Sequence, residues 1–154
     1  MNDFLIVQNQ NKHGALMVFT ETIALNTKGF CDMINITPQV FSIVNQSSVH
    51  DGLVTVFIPG STGAITTIEY ETGVLQDLQD ALERIAPSDI PYAHDRRWGD
   101  GNGFSHIRAA LMKPSLSVPL VSGKLTLGTW QQIVLIDFDN RSRRRKIIVQ
   151  ITGD

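Results

Sequence analysis

The sequence predicts an α+β domain of packed, sandwich-like antiparallel β-sheets with two main helices. Three observations predict it. Stretches rich in Val, Ile, Thr and Phe recur along most of the chain, separated by Gly, Pro, Asn and Asp. Only two stretches, about 37–47 and 73–85, space their apolar residues as a helix does. Strands and helices do not alternate strictly, which argues against a doubly wound parallel sheet.

Residues 1–14 are polar and weakly patterned, and read as an N-terminal extension or an edge strand. Residues 15–154 read as a single domain, long enough to bury a core without disulfide staples. Leu16 to Leu25 and Cys31 to Ile36 are expected strands. Thr37 is placed to cap the first helix, Pro38 suits its first turn, and Ile36 and Phe41 are spaced as a hydrophobic staple. Leu53 to Ile58 is almost wholly apolar and reads as a central strand buried on both faces. Ala64 to Glu71 is the next expected strand, with Glu69 and Glu71 on one face. In the second helix Val74, Leu75, Leu78, Ala81, Leu82 and Ile85 form one stripe, and Pro87 ends it. Residues 86–105 read as a long polar loop, a feature that in a compact domain marks function or disorder. The remainder reads as strands: His106 to Met112, Leu116 to Leu120, Lys124 to Leu127, Trp130 to Phe138 and Arg145 to Thr152. Ser122-Gly123 and Asp139-Asn140 are plausible hairpin turns.

Composition removes several function classes. A formal net charge of −2 argues against a broad electrostatic grip on nucleic acid. No apolar run approaches the roughly 20 residues that span a bilayer, and no secretory signal pattern opens the chain, so a cytoplasmic protein away from membranes is expected. The lone Cys31 cannot form an internal disulfide and reads as a buried small hydrophobe.

The chain has no His-Glu-x-x-His or Cys-x-x-Cys metal pattern, no Gly-x-Ser-x-Gly elbow and no phosphate loop. Chemistry is instead concentrated in one segment. His94, Asp95, Arg96, Arg97, Trp98, Asp100, Asn102, Ser105 and His106 fall within 13 positions. Imidazoles shuttle protons near neutral pH or ligate metals, and guanidiniums clamp phosphate. The segment therefore reads as a small-anion or metal-assisted site; the alternative is a solvated loop making local turns. Glu69 is a candidate general base if half-buried, or simply an exposed strand residue. The basic run Arg141, Arg143, Arg144, Arg145 and Lys146 contacts phosphate, forms a solvated turn, or pairs with Asp137 and Asp139. Trp130 reads as core or pocket wall, and Gln131 and Gln132 as network or interface residues.

Six ordered stretches resemble the YjbQ-like family, the secondary thiamine-phosphate synthases. They are Gly60-Ser61-Thr62-Gly63-Ala64-Ile65-Thr66, Ile68-Glu69-Tyr70-Glu71, Tyr92-Ala93-His94-Asp95, Ser105-His106-Ile107-Arg108-Ala109, Pro114-Ser115-Leu116-Ser117-Val118-Pro119 and Leu127-Gly128-Thr129-Trp130-Gln131-Gln132. The resemblance covers about residue 15 to the C-terminus. It implies packed antiparallel sheets, a homotrimer, and sites built around histidines near subunit boundaries. It also implies a transferase joining a hydroxymethylpyrimidine diphosphate to a thiazole phosphate with release of pyrophosphate. On that reading His94, His106 and Glu69 are catalytic. Arg96, Asn102, Ser105, Arg108, Thr129, Trp130 and Gln131 bind a small phosphorylated ligand, and His94 and His106 hold zinc or another divalent metal. Gly60 stands where the family pattern has a histidine, which removes one candidate metal ligand or base. The competing expectation is a homotrimeric small-ligand or metal-binding module without catalysis.

Overall fold

A computed structural model of the chain describes residues 15–154; the extension or edge strand expected at 1–14 lies outside the described residues. In chain order the elements are β1 (Met17–Thr27), β2 (Asp32–Asn35), α1 (Thr37–Ser47), β3 (Gly52–Phe57), β4 (Gly63–Glu69), α2 (Thr72–Ile85), α3 (Ala93–Trp98), α4 (Gly103–Met112), β5 (Ser115–Val121), β6 (Lys124–Leu125), β7 (Gln131–Asp137) and β8 (Arg143–Gly153). A five-stranded sheet has the order β1-β8-β3-β5-β6 and a three-stranded sheet the order β2-β7-β4. Every pairing is antiparallel.

The α+β sandwich expected from the sequence is present, with layers that explain its apolar pattern. The inner residues of the large sheet (Ile23, Val54, Val56, Val118, Ile147, Val149, Ile151) pack against Ile65, Ile133 and Leu135 of the small sheet, with Val40, Ile43 and Val44 of α1 joining them. The opposite face of the small sheet (Ala64, Val134, Ile136) is covered by Leu78 and Leu82 of α2 and by Ala109 and Met112 of α4. β7 is therefore the strand buried on both faces, with Ile133 to Ile136 fully enclosed. That role was expected of Leu53–Ile58. In β3, however, Leu53 and Phe57 are 43% and 38% exposed, because among the described residues no helix covers the outer face of the large sheet.

Among the described residues four helices form where two were expected. Segment 106–112 is helical, not a strand, and 86–105 is not one long loop, since it holds α3 and the start of α4. Burial in this region falls on Phe104, Ser105, Arg108 and Ala109, the four-residue recurrence of a helix. The run His106–Met112 alone is too short to separate the two periods, and Asn102 makes no side-chain cap that would have marked the start. Gly103 opens the helix because Tyr92 lies against it; a Cβ there would sit 2.3 Å from Tyr92 Cβ.

Four local expectations change. Thr37 does not cap α1; its hydroxyl accepts from the Ile133 N–H at 2.8 Å and ties the helix to β7. Phe41 is exposed, so no staple forms with the buried Ile36. Glu71 does not extend β4; its carboxylate accepts from the Gly73 and Val74 N–H groups and caps α2, and those bonds hold its carboxyl below the usual range. Ser122-Gly123 does turn β5 into β6, with both residues at positive φ. Asp139-Asn140 is not a hairpin turn, because β7 and β8 belong to different sheets. Cys31 is buried, and that burial pushes its thiol up to about 11. Among the described residues no helix is long and apolar enough to cross a membrane.

Arg108 joins the helices. It is 1% exposed, donates from Nε (3.0 Å) and Nη2 (2.8 Å) to the Ala86 carbonyl at the end of α2, pairs with Glu83 at 2.7 Å, and lies over the Phe104 ring. Arg108→Ala is expected to cost about 2–3 kcal/mol, through an unsatisfied buried carbonyl and lost packing. Urea denaturation at neutral pH measures it; a loss below about 0.5 kcal/mol would remove this role.

Candidate functional site

The crossing from β7 to β8 builds the most polar interior in the structure. Asp137 and Asp139 are both fully buried. Alternation along β8 puts Arg143 and Arg145 on one face, where they meet these carboxylates. Arg145 donates to Asp137 from Nε at 2.7 Å and Nη2 at 2.5 Å. Arg143 Nε donates to Asp139 Oδ2 at 2.7 Å. Thr27 Oγ1 donates to Asp137 at 2.5 Å, and Thr62 Oγ1 donates to Asp139 at 3.0 Å while accepting from Arg145 at 2.8 Å. Burial works to raise the Asp137 carboxyl, but bonds from Arg145, Thr27 and the Asp139 N–H prevail and hold it below its ordinary 3.8. Within the basic run, Arg143 and Arg145 pair with Asp139 and Asp137. Not every donor is used: among the described residues, Arg145 Nη1 and the two terminal nitrogens of Arg143 have no hydrogen-bond partner.

Helices α3 and α4 bring the histidines to the same place. His94 on α3 and His106 on α4 have ring centroids 4.4 Å apart, tilted by 47°. His94 Nε2 lies 3.2 Å from Asp100 Oδ1. Asp95 Oδ1 accepts from the Gly103 N–H at 2.9 Å, which fixes α3 against the first turn of α4. Asn140 Nδ2 donates to the Asp100 carbonyl at 2.7 Å, joining this loop to the sheet crossing.

Together these parts line an open cavity of about 580 Å³. Its lining takes His94, His106, Trp98, Asp100 and Asn102 from the helical segment, Asp139, Arg143 and Arg145 from the sheet crossing, and Gly60, Ser61 and Thr62 from the segment before β4. Gly60 has φ +119°, a conformation that strains any L side chain, and its missing Cβ leaves that position 3.6 Å from Arg145 Nη1. Among the described residues two buried oxygens, Asn102 Oδ1 and Asp139 Oδ1, have no hydrogen-bond partner, a cost to stability unless water meets them. For a divalent metal, the group that converges is His94, Asp95 and Asp100, whose ligand atoms lie within 4.8 Å of one another. His106 stands beside this set and is not part of it. One imidazole and two carboxylates are a workable donor set for zinc or manganese.

The other residues singled out from sequence lie elsewhere in the chain. Ser105 is fully buried and donates to the Phe138 carbonyl at 2.6 Å. Arg108 is committed to α2, as described above, and Arg96 is exposed on α3 outside the cavity lining. Glu69 is exposed at the far end of β4, opposite Gln131 in the register. Gln131 bonds the Gly128 N–H and Thr67 Oγ1, Thr129 is exposed beside it, and Trp130 is 71% exposed. Six residues of strand, about 20 Å, separate this group from the Gly63 end of β4 beside the histidines. Thr62, Asp139, Arg143 and Arg145 were not expected in the cavity. Their signal was the two-residue spacing of both the Asp and the Arg pair, which marks one face of each strand.

Asp137 yields a pH prediction. A folded value below 3.8 means its contribution is full above that value and is lost as the pH falls through the lower folded one. Asp137→Asn is expected to cost about 3–5 kcal/mol at pH 7, because Arg145 loses its counter-charge. The gap to wild type should narrow in acid, as urea melts between pH 7 and pH 2.5 would show. A gap independent of pH would contradict it.

The comparisons with known proteins agree with this architecture. Residues 21–154 match the family model described as UPF0047 protein YjbQ-like. A UPF0047 protein of Methanothermobacter thermautotrophicus is 36% identical over 92% of this chain and 98% of its own length. A UPF0047 protein of Archaeoglobus fulgidus is 40% identical over 82% and 96%. A crystal structure of a YjbQ-like protein of unknown function from Sulfolobus solfataricus is similar with a TM-score of 0.85 at 29% identity, covering 90% of this chain and 99% of that one. A family protein from Clostridium acetobutylicum has a TM-score of 0.78 at 36% identity, covering 85% and 98%. The chain belongs to the YjbQ-like UPF0047 family, a family of uncharacterised proteins.

Proposed function

We propose that the cavity binds a small phosphorylated molecule and that the protein is a transferase acting in the cytoplasm on a phosphorylated heterocycle with release of pyrophosphate. The observation that supports this most is that two imidazoles and two part-used guanidiniums line one cavity. Arg143 and Arg145 would take diphosphate oxygens with their remaining N–H groups, pre-oriented because their other donors are locked on buried carboxylates. In the step itself the carbon–oxygen bond to the diphosphate breaks, and pyrophosphate leaves with the electron pair. A ring nitrogen of a second heterocycle forms the new bond to that carbon. His106, with His94 beside it, would supply a proton to the departing oxygen.

A homotrimer is part of the same proposal. Glu69, Thr129, Trp130 and Gln131 lie too far from the histidines within one chain, and a neighbouring copy is one way to bring them near. A divalent metal, zinc first, would sit at His94, Asp95 and Asp100 and would neutralise phosphate charge.

The test is a pyrophosphate-release assay with hydroxymethylpyrimidine diphosphate and thiazole phosphate. Wild type should turn over, and His106→Ala should lose about 10²-fold or more. Arg143→Ala should weaken pyrophosphate binding about tenfold in calorimetry. Pyrophosphate bound with no turnover on any such pair would favour the non-catalytic module; the absent side chain at Gly60 speaks for that reading. Light scattering should give three times the 17.1 kDa chain mass. Metal content measured by mass spectrometry should fall in His94→Ala; equal content in both proteins would remove the metal site.

A further inference from the structure

A second, smaller cavity of about 230 Å³ adjoins the first. Its walls are almost devoid of side chain: Gly60, Gly63, Ala109, Ala110 and Pro114, with Ser61 and the His106 ring. Neither a charged group nor a long side chain enters it. Gly60, Ser61 and His106 line both cavities, so the cationic chamber and the apolar slot share an edge at these residues. Gly60 holds φ +119°, a conformation that strains any L side chain, so this part of the wall stays bare. Ala109 and Ala110 come from α4, one turn beyond His106; Ala109 is buried and Ala110 is exposed.

We propose that this slot holds the organic group of a compact phosphate or diphosphate ester, while the anion lies against Arg143 and Arg145. This rests on the anion-binding reading of the larger cavity. The volume sets the class of group. A cavity of about 150 Å³ accommodates benzene, so a slot of 230 Å³ takes one six-membered ring with a small substituent or a short branched alkyl chain. Fused ring systems and long tails exceed it. A ligand spanning both chambers must pass His106, which sets the bond between its organic group and its phosphate beside the imidazole. The slot thereby selects the ester and His106 meets its reactive end.

Calorimetry with two probes tests this. Inorganic pyrophosphate reports the cationic chamber alone, and benzyl diphosphate reports both. Wild type should bind benzyl diphosphate about tenfold more tightly than pyrophosphate, as burial of one ring implies. Ala110→Leu fills the slot from an exposed helix position that favours helix formers. It should abolish the preference while leaving pyrophosphate affinity within about twofold, and Ala110→Ser should keep the preference. Equal affinity of wild type for the two probes overturns the slot and leaves the anion reading standing, as does a preference that survives in Ala110→Leu. Binding of neither probe overturns both readings. An unchanged circular dichroism spectrum and melting temperature show that each variant is folded.

Discussion

The pairing of Asp137 with Arg145 is the interaction on which the rest of the structure depends. One residue ends the central strand of the small sheet, and the other lies in the second strand of the large sheet. Their bond fixes the two sheets where the chain crosses between them. A buried carboxylate tolerates this position only because a guanidinium and a hydroxyl satisfy it. Apolar packing between sheets is non-directional, so it sets their distance more firmly than their relative placement. The bidentate pair adds a defined geometry at one corner. Because Arg145 is held there, its remaining nitrogen faces the cavity beside Gly60.

The layer order follows from the same crossing. The small sheet lies between the large sheet and helices α2 and α4, so β7 has no face toward solvent. The large sheet has one covered face and alternates accordingly. Helix α4 is held by Arg108 against the end of α2 and by Ser105 against the carbonyl of Phe138. That second bond attaches the helix bearing His106 directly to the residue between Asp137 and Asp139. The imidazoles and the guanidiniums thus share one support, and their separation is set by buried hydrogen bonds rather than by a surface loop.

The family relationship fits this arrangement and leaves the chemistry to the site. The Sulfolobus solfataricus structure shares the fold over 99% of its length and is that of a protein of unknown function. A fold hosts many functions, so the cavity's own groups are what bear on the ligand. The group at the far end of β4 and β7 is a separate surface within one chain, and the exposed Trp130 there is the kind of residue that subunit contacts use.

The sequence by itself determined the α+β class, helices α1 and α2, most strands and the concentration of chemistry between His94 and His106. These depend on local periodicity, turn residues and composition, which act over a few positions. It did not reveal α4, because His106–Met112 is too short for its apolar residues to separate a period of 3.6 from one of 2. It assigned double burial to Leu53–Ile58, because an apolar run does not show which strand has a second layer behind it. It left the arginine run open between solvent and the aspartates, and only the sheet crossing brings Arg143 and Arg145 against Asp139 and Asp137. The cavity unites Gly60 to Thr62, His94 to His106 and Asp139 to Arg145, segments far apart in the chain. Their meeting is decided by sheet register and layer packing, which are long-range and have no local signature.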